Sequence, residues 1–151
     1  MGKAMPVKDD GKRDRARTLQ AGAVPFRRVN RGTSRRAIEV LLITNTAGGW
    51  IVPKGRIDAG RSPQETALIE AYEEAGVVAS AIGEELGHYS YLKMGRRMRV
   101  RLYALEVERV MRDWKERDAR RREWLSLPEA CARAAFPGLR RILAELEDAV
   151  G

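Results

Sequence analysis

Apolar residues recur along the 151-residue chain in two rhythms. Runs rich in branched and aromatic side chains, Ala21 to Val29 and Ala37 to Thr44, flank the turn-like stretch NRGTSRR and predict a β-hairpin. Asn45 to Gly49 reads as a loop, and Trp50-Ile51-Val52-Pro53 as a short apolar strand that proline stops. A glycine-containing loop, Lys54 to Arg61, follows, and the period then becomes helical. Ser62, Pro63 and Glu65 spell an N-cap, a proline at the first helical position and a glutamate three residues after the cap, which together make a capping box. Leu68, Ala71, Tyr72 and Ala75 recur at i, i+3, i+4, i+7 and Gly76 supplies a stop, so a helix is predicted from Pro63 to Ala75 with that stripe buried. Strands are expected from Ile82 to Leu92 and from Arg97 to Val110, around a turn at Gly95. Glu123 to Leu127 reads as a short strand, Pro128 opens a brief helix, and Pro137 opens a terminal helix with the stripe Leu139, Ile142, Leu143, Leu146.

Alternating strands and helices over residues 20–150 predict one α/β (α+β) domain. Residues 1–19 are polar, mixed in sign and without an apolar period, and read as a mobile basic tail. With 44% apolar and 33% charged residues, collagen-like, wholly disordered and multi-span membrane chains are excluded. No run approaches the ~18 apolar residues of a membrane helix. Cys131 is the only cysteine, so no internal disulfide can form, and no apolar leader follows the basic start; a cytoplasmic location is expected.

Charge sharpens the picture. The net charge is +8, which points to an anionic partner. Between Leu92 and Arg122 stand 12 basic and 5 acidic residues, so that window alone carries +7. Glu70, Glu73 and Glu74, spaced i, i+3, i+4, share one helix face. Like charges at this spacing each cost a helix roughly 0.2–0.5 kcal/mol unless something offsets them. Two readings fit: a solvated polar face, or hard oxygen ligands for Mg²⁺, with Mn²⁺ as the alternative.

Gly55, Glu70, Glu73, Glu74, Gly76 and Val77 stand at the spacings of the Nudix box, and over the window Gly55 to Val77 the chain resembles that family. Two positions depart: the box's first Glu is Arg61 here, and its Arg is Ile69. In the family those two residues interact and help orient the glutamates; here Asp58 or Arg61 would take part of that role. The segments Asp113-Trp114-Lys115-Glu116, Arg120 to Leu125 and Pro128-Glu129-Ala130, with Trp50 to Pro53, are similar to diphosphoinositol-polyphosphate and diadenosine-polyphosphate phosphohydrolases. Lys54-Gly55-Arg56 replaces that subgroup's glycine run, and the N-terminal basic cluster of its inositide-binding members has no clear counterpart near Thr18-Leu19-Gln20.

The resemblance implies a Nudix-type α/β/α sandwich with a mixed sheet. It also implies a metal-dependent hydrolase of phosphoanhydride bonds, acting on a nucleoside diphosphate linked to another moiety. A dinucleoside polyphosphate is the first choice, and a diphosphoinositol polyphosphate the alternative. It implies Gly55, Glu70, Glu73 and Glu74 at the metal, Glu73 or Glu74 as the proton acceptor, and a further acid from Glu106, Asp113 or Glu116. Alternation sends Arg97, Arg99, Arg101 and Tyr103 to one side of their strand. Arginine's planar fork suits polyphosphate, so Arg99, Arg101, Arg120 and Arg122, with Lys54, are the substrate-binding candidates. Trp114 and Trp124 could stack on a base. His88, in a strand, reads as a packed or edge-strand residue, and Cys131 as a small core residue. The runner-up function is a non-hydrolytic regulatory domain that binds nucleic acid or a nucleotide; a homodimer is a further expectation, membrane association is not.

Overall fold

Strand pairing organises the molecule. The computed structural model describes residues 5–6, 18–31 and 35–151. Its strands are β1 (Met5–Pro6), β2 (Thr18–Arg31), β3 (Arg35–Thr44), β4 (Trp50–Ile51), β5 (Lys54–Arg56), β6 (Val77–Lys93), β7 (Arg96–Val110) and β8 (Arg122–Ser126). Among the described residues they join in one sheet ordered β1-β6-β7-β2-β3-β4, with β5 added on β2 and β8 on β3. The β2–β7 pair is parallel and the others are antiparallel, so the sheet is mixed, as expected. Of the expected tail, residues 1–4 and 7–17 lie outside the described residues. Met5 and Pro6 pair with Leu92 and Tyr91, and Thr18 and Leu19 open β2.

The helices are α1 (Pro63–Glu70), a π-helical turn over Ala71–Ala75, α2 (Leu127–Arg133), α3 (Pro137–Ala144) and α4 (Leu146–Val150). The predicted terminal helix is two, divided at Glu145, and its stripe of Leu139, Ile142, Leu143 and Leu146 is buried. With the sheet between its helices, the chain is an α/β sandwich. The core is built from Val40, Leu41, Leu42 and Ile43 of β3, Val24 of β2, and Val100, Leu102 and Leu105 of β7. At roughly 1.5–3 kcal/mol for each large apolar side chain removed from water, these residues dominate the stability. No helix among the described residues is long and apolar enough to cross a membrane.

One feature of the topology places the chemistry. β2 changes partner along its length: Gln20 to Gly22 pair with β5, and Phe26 to Arg31 with β3. The loop after the short strand β4 is thereby returned to the sheet, which sets Lys54 and Gly55 beside the helix that carries the glutamates.

Candidate active site

The glutamate helix begins as its sequence predicts. Ser62 Oγ accepts from the Glu65 amide at 3.0 Å, and the Glu65 carboxylate reaches back to the Ser62 amide. The predicted buried stripe needs correction. Leu68 and Tyr72 are 36% and 51% exposed, while Ala67, Ala71, Ala75 and Glu74 are buried. The cause is close packing: alanines four apart bring α1 onto β2, where Ala21 and Ala23 are themselves fully buried, and larger side chains would hold the elements apart. The π-turn falls on the glutamates, a helical irregularity often found at functional sites.

Three carboxylates take three different environments. Glu70 lies against Gly55 so closely that a Cβ there would collide with its carboxylate. Burial, then Glu73 and Glu116, raise its pKa. Glu74 points inward; its Oε2 accepts from the Lys54 amide at 3.2 Å and its Oε1 meets Arg120 Nη2 at 3.2 Å. Burial pushes its pKa up to about 7 against the pull of Arg120 and Lys54. Glu73 stays half-buried, with Lys115 Nζ 3.6 Å from Oε2. Arg120 also donates to Glu116 Oε1 and to the Thr44 carbonyl, both at 2.8 Å. Burial lowers the pKa of Lys54, whose ammonium lies 5.0 Å from the centre of the Tyr91 ring.

The end of this helix is closed from outside. The Gly76 amide donates to the Ala71 and Tyr72 carbonyls. The next four carbonyls accept from the segment 111–122: Glu73 from the Glu116 amide, Glu74 from Trp114 Nε1, Ala75 from Arg122 Nη1 and Gly76 from the Met111 amide. Arg122 lies 3.7 Å over the Trp114 ring.

The structure therefore brings together Lys54, Gly55, Glu70, Glu73, Glu74 and Arg120. It does not bring Arg99, Arg101 or Arg122 to them. Paired strand residues share a face, so Arg101, Ala21 and Gly55 stand in one row toward α1. Yet Arg101 pairs with Glu85 at 2.7 Å and Arg99 meets His88 at 3.2 Å, and the cations acting on Glu70 and Glu74 are Lys54, Arg120 and Lys115. Arg122 is engaged with backbone carbonyls. Tyr103 is buried despite its expected place beside the arginines. Glu116 joins the cluster, whereas Glu106 pairs with Arg28 and Asp113 with Arg117. Arg61 meets Asp58 at 3.9 Å, both well exposed. Trp114 lies under Arg122 and Trp124 lies 4.1 Å under Arg27, so each carries a guanidinium. His88 is exposed and Cys131 half-buried. Lys115, Glu116 and Trp114 carry no local signal beyond their likeness to the phosphohydrolase subgroup.

The NUDIX domain model matches residues 18–146. The chain belongs to the Nudix family. It is 32% identical to Nudix hydrolase 16, mitochondrial, of Arabidopsis thaliana, over 91% of this chain and 81% of the relative. It is 34% identical to diphosphoinositol polyphosphate phosphohydrolase 3-beta of Bos taurus, over 64% of this chain and 60% of that protein. The fold is shared with a C. elegans Ap4A hydrolase at a TM-score of 0.65 and 21% identity, over 88% of this chain and 97% of that one. The family and these homologues make the chain a Nudix hydrolase of the pyrophosphohydrolase class.

Nudix hydrolases use divalent metals. Among the described residues no three His, Cys, Asp or Glu side chains already converge as a metal cage. The donor chemistry nevertheless fits a hard cation: the Glu73 and Glu116 carboxylates lie close enough to oppose ionisation of Glu70, and Gly55 leaves room for the Glu70 carboxylate. Each Glu74 oxygen keeps a second lone pair beside its present bond.

Proposed function

We propose that this Nudix hydrolase cleaves a phosphoanhydride bond of a nucleoside diphosphate linked to another moiety, with a dinucleoside polyphosphate as the preferred substrate. A diphosphoinositol polyphosphate is the second choice. The observation that carries the reading is the meeting of the Gly55–Glu70 contact with the buried Glu74 between the Lys54 amide and Arg120. Names of relatives, one a diphosphoinositol polyphosphate phosphohydrolase and one an Ap4A hydrolase, support the substrate class.

Glu70, Glu74 and Glu73, with the Gly55 backbone, would hold Mg²⁺, or Mn²⁺ in its place. When bound, such an ion neutralises anhydride oxygens and acidifies a water. Glu73 is assigned the proton of the attacking water, because its carboxylate is 33% exposed and meets one cation, whereas both Glu74 oxygens are engaged. Lys54 and Arg120 are assigned to the substrate phosphates, since both already act on the carboxylate cluster. We do not extend that role to Arg99, Arg101 or Arg122.

Nucleic acid and a homodimer gain no support. Within the basic window Arg101, Arg117 and Arg120 pair with carboxylates and Arg122 with carbonyls. The lone Cys131 keeps a cytoplasmic location as the proposal, which cell fractionation checks. The substrate reading is tested by incubating the purified chain and Mg²⁺ with dinucleoside polyphosphates, nucleoside triphosphates, sugar nucleotides and inositol pyrophosphates. Fastest turnover of a dinucleoside polyphosphate is expected; preferential turnover of a nucleoside triphosphate contradicts the substrate assignment.

A further inference from the structure

We infer that Trp114 and Arg122 are positioning residues for this hydrolysis, fixing from the C-terminal side the turn that carries Glu73 and Glu74. The inference rests on the hydrolase reading above and deepens it. A helix leaves its last four carbonyls without partners of its own. Here those of Glu73, Glu74, Ala75 and Gly76 accept from segment 111–122 at 3.1, 3.0, 2.8 and 2.8 Å. Two of the donors are backbone amides and two are side chains, Trp114 Nε1 and Arg122 Nη1. The two side chains are locked to each other by stacking at 3.7 Å, and Arg122 Nη2 is held by the Met111 carbonyl. Gly76, in the left-handed region at φ 67°, has no room for a Cβ, which would stand 2.6 Å from Arg122 Nη1 and 2.8 Å from Trp114 Cγ. At the other end of the box the Ser62–Glu65 capping box closes the helix start, but among the described residues Arg61 forms an ion pair with the exposed Asp58, at 3.9 Å, and Ile69 has no charge to offer. Lys54 and Arg120 hold the Glu74 carboxylate directly, and the backbone turn beneath Glu73 and Glu74 is fixed by the clamp at the helix end. Neither clamp side chain touches a glutamate carboxylate, so both act through the backbone.

The test uses the full chain with Trp114→Phe, which keeps the ring under Arg122 and removes the indole N–H, and separately Arg122→Lys, which serves alone if the first fails to fold. Amide exchange at residues 72–77 of the metal-free protein is expected to quicken about 10-fold or more while the remaining core stays protected. With Mg²⁺ and a dinucleoside polyphosphate, kcat is expected to fall roughly 10–100-fold with KM changed by less than about 3-fold. Arg61→Glu with Ile69→Arg, added to the impaired variant, is expected to restore part of the lost kcat. Folded variants with unchanged exchange and kcat, or with raised KM alone, overturn the inference. A wild-type chain that cleaves no phosphoanhydride overturns the hydrolase reading instead, and the exchange data then decide the clamp by themselves.

Discussion

Arg120 Nη2 stands 3.2 Å from Glu74 Oε1, on a carboxylate side chain only 3% exposed. The same guanidinium ties Glu116 and the Thr44 carbonyl, so one residue joins the glutamate helix, the loop after β7 and the end of β3. Removing one partner of a buried pair leaves the other charge uncompensated. Arg120→Met is therefore expected to cost roughly 3 kcal/mol at pH 8, read by urea unfolding. The cost should be smaller at pH 6, where Glu74 is largely protonated, and smaller again in the Arg120→Met, Glu74→Gln double variant.

The raised pKa of Glu74 fixes the sign of the pH dependence. Burial holds its folded value at about 7, above the ordinary 4.5, so between those values the native state binds more protons than the unfolded chain. Its contribution is thus fully present below pH 4.5 and lost as pH rises through about 7, on the order of 3 kcal/mol in the metal-free protein. Glu70, also raised, adds to this slope; Lys54, lowered, acts with the opposite sign at higher pH. Thermal unfolding in chelator across pH 5–8 checks this, and Glu74→Gln should flatten the profile.

Much of the fold could be read from the chain because its determinants are local. The capping box, the β2–β3 pairing and the burial of Leu139, Ile142, Leu143 and Leu146 follow from neighbours in sequence. The buried face of α1 did not, because Leu68 and Tyr72 look like core while the residues buried there are Thr66, Ala67, Ala71 and Ala75, with Glu74. Strands β1 and β5 were missed because two or three residues carry no period. Glu70, Glu73, Glu74 and Gly55 were visible through fixed spacing. Glu116 and Trp114 converge on them from 40 or more positions away, and only tertiary structure shows that Arg122 serves carbonyls rather than phosphate.

Gly55 has a steric task rather than a conformational one. A Cβ there meets the Glu70 carboxylate, the movable end of a flexible side chain, so Gly55→Ala should shift that carboxylate at a stability cost within about 1 kcal/mol. Mg²⁺ affinity, followed by titration calorimetry, is expected to fall roughly 10-fold or more.

Proton acceptance by Glu73 predicts a loss in kcat of roughly 10²–10⁴-fold for Glu73→Gln with metal affinity reduced far less. Steady-state rates at saturating Mg²⁺ check this, and an equal fall in Mg²⁺ affinity would move the residue's main role to the metal.

The most direct measurement is the initial rate of dinucleoside tetraphosphate hydrolysis against Mg²⁺ concentration, for the wild-type chain and for Glu74→Gln. The buried carboxylate between the Lys54 amide and Arg120 predicts metal-dependent product release by the wild type. It also predicts a rate lowered by roughly 10²-fold or more in the variant, which should remain folded. Equal rates in the two proteins, or full wild-type activity in chelator, would contradict it.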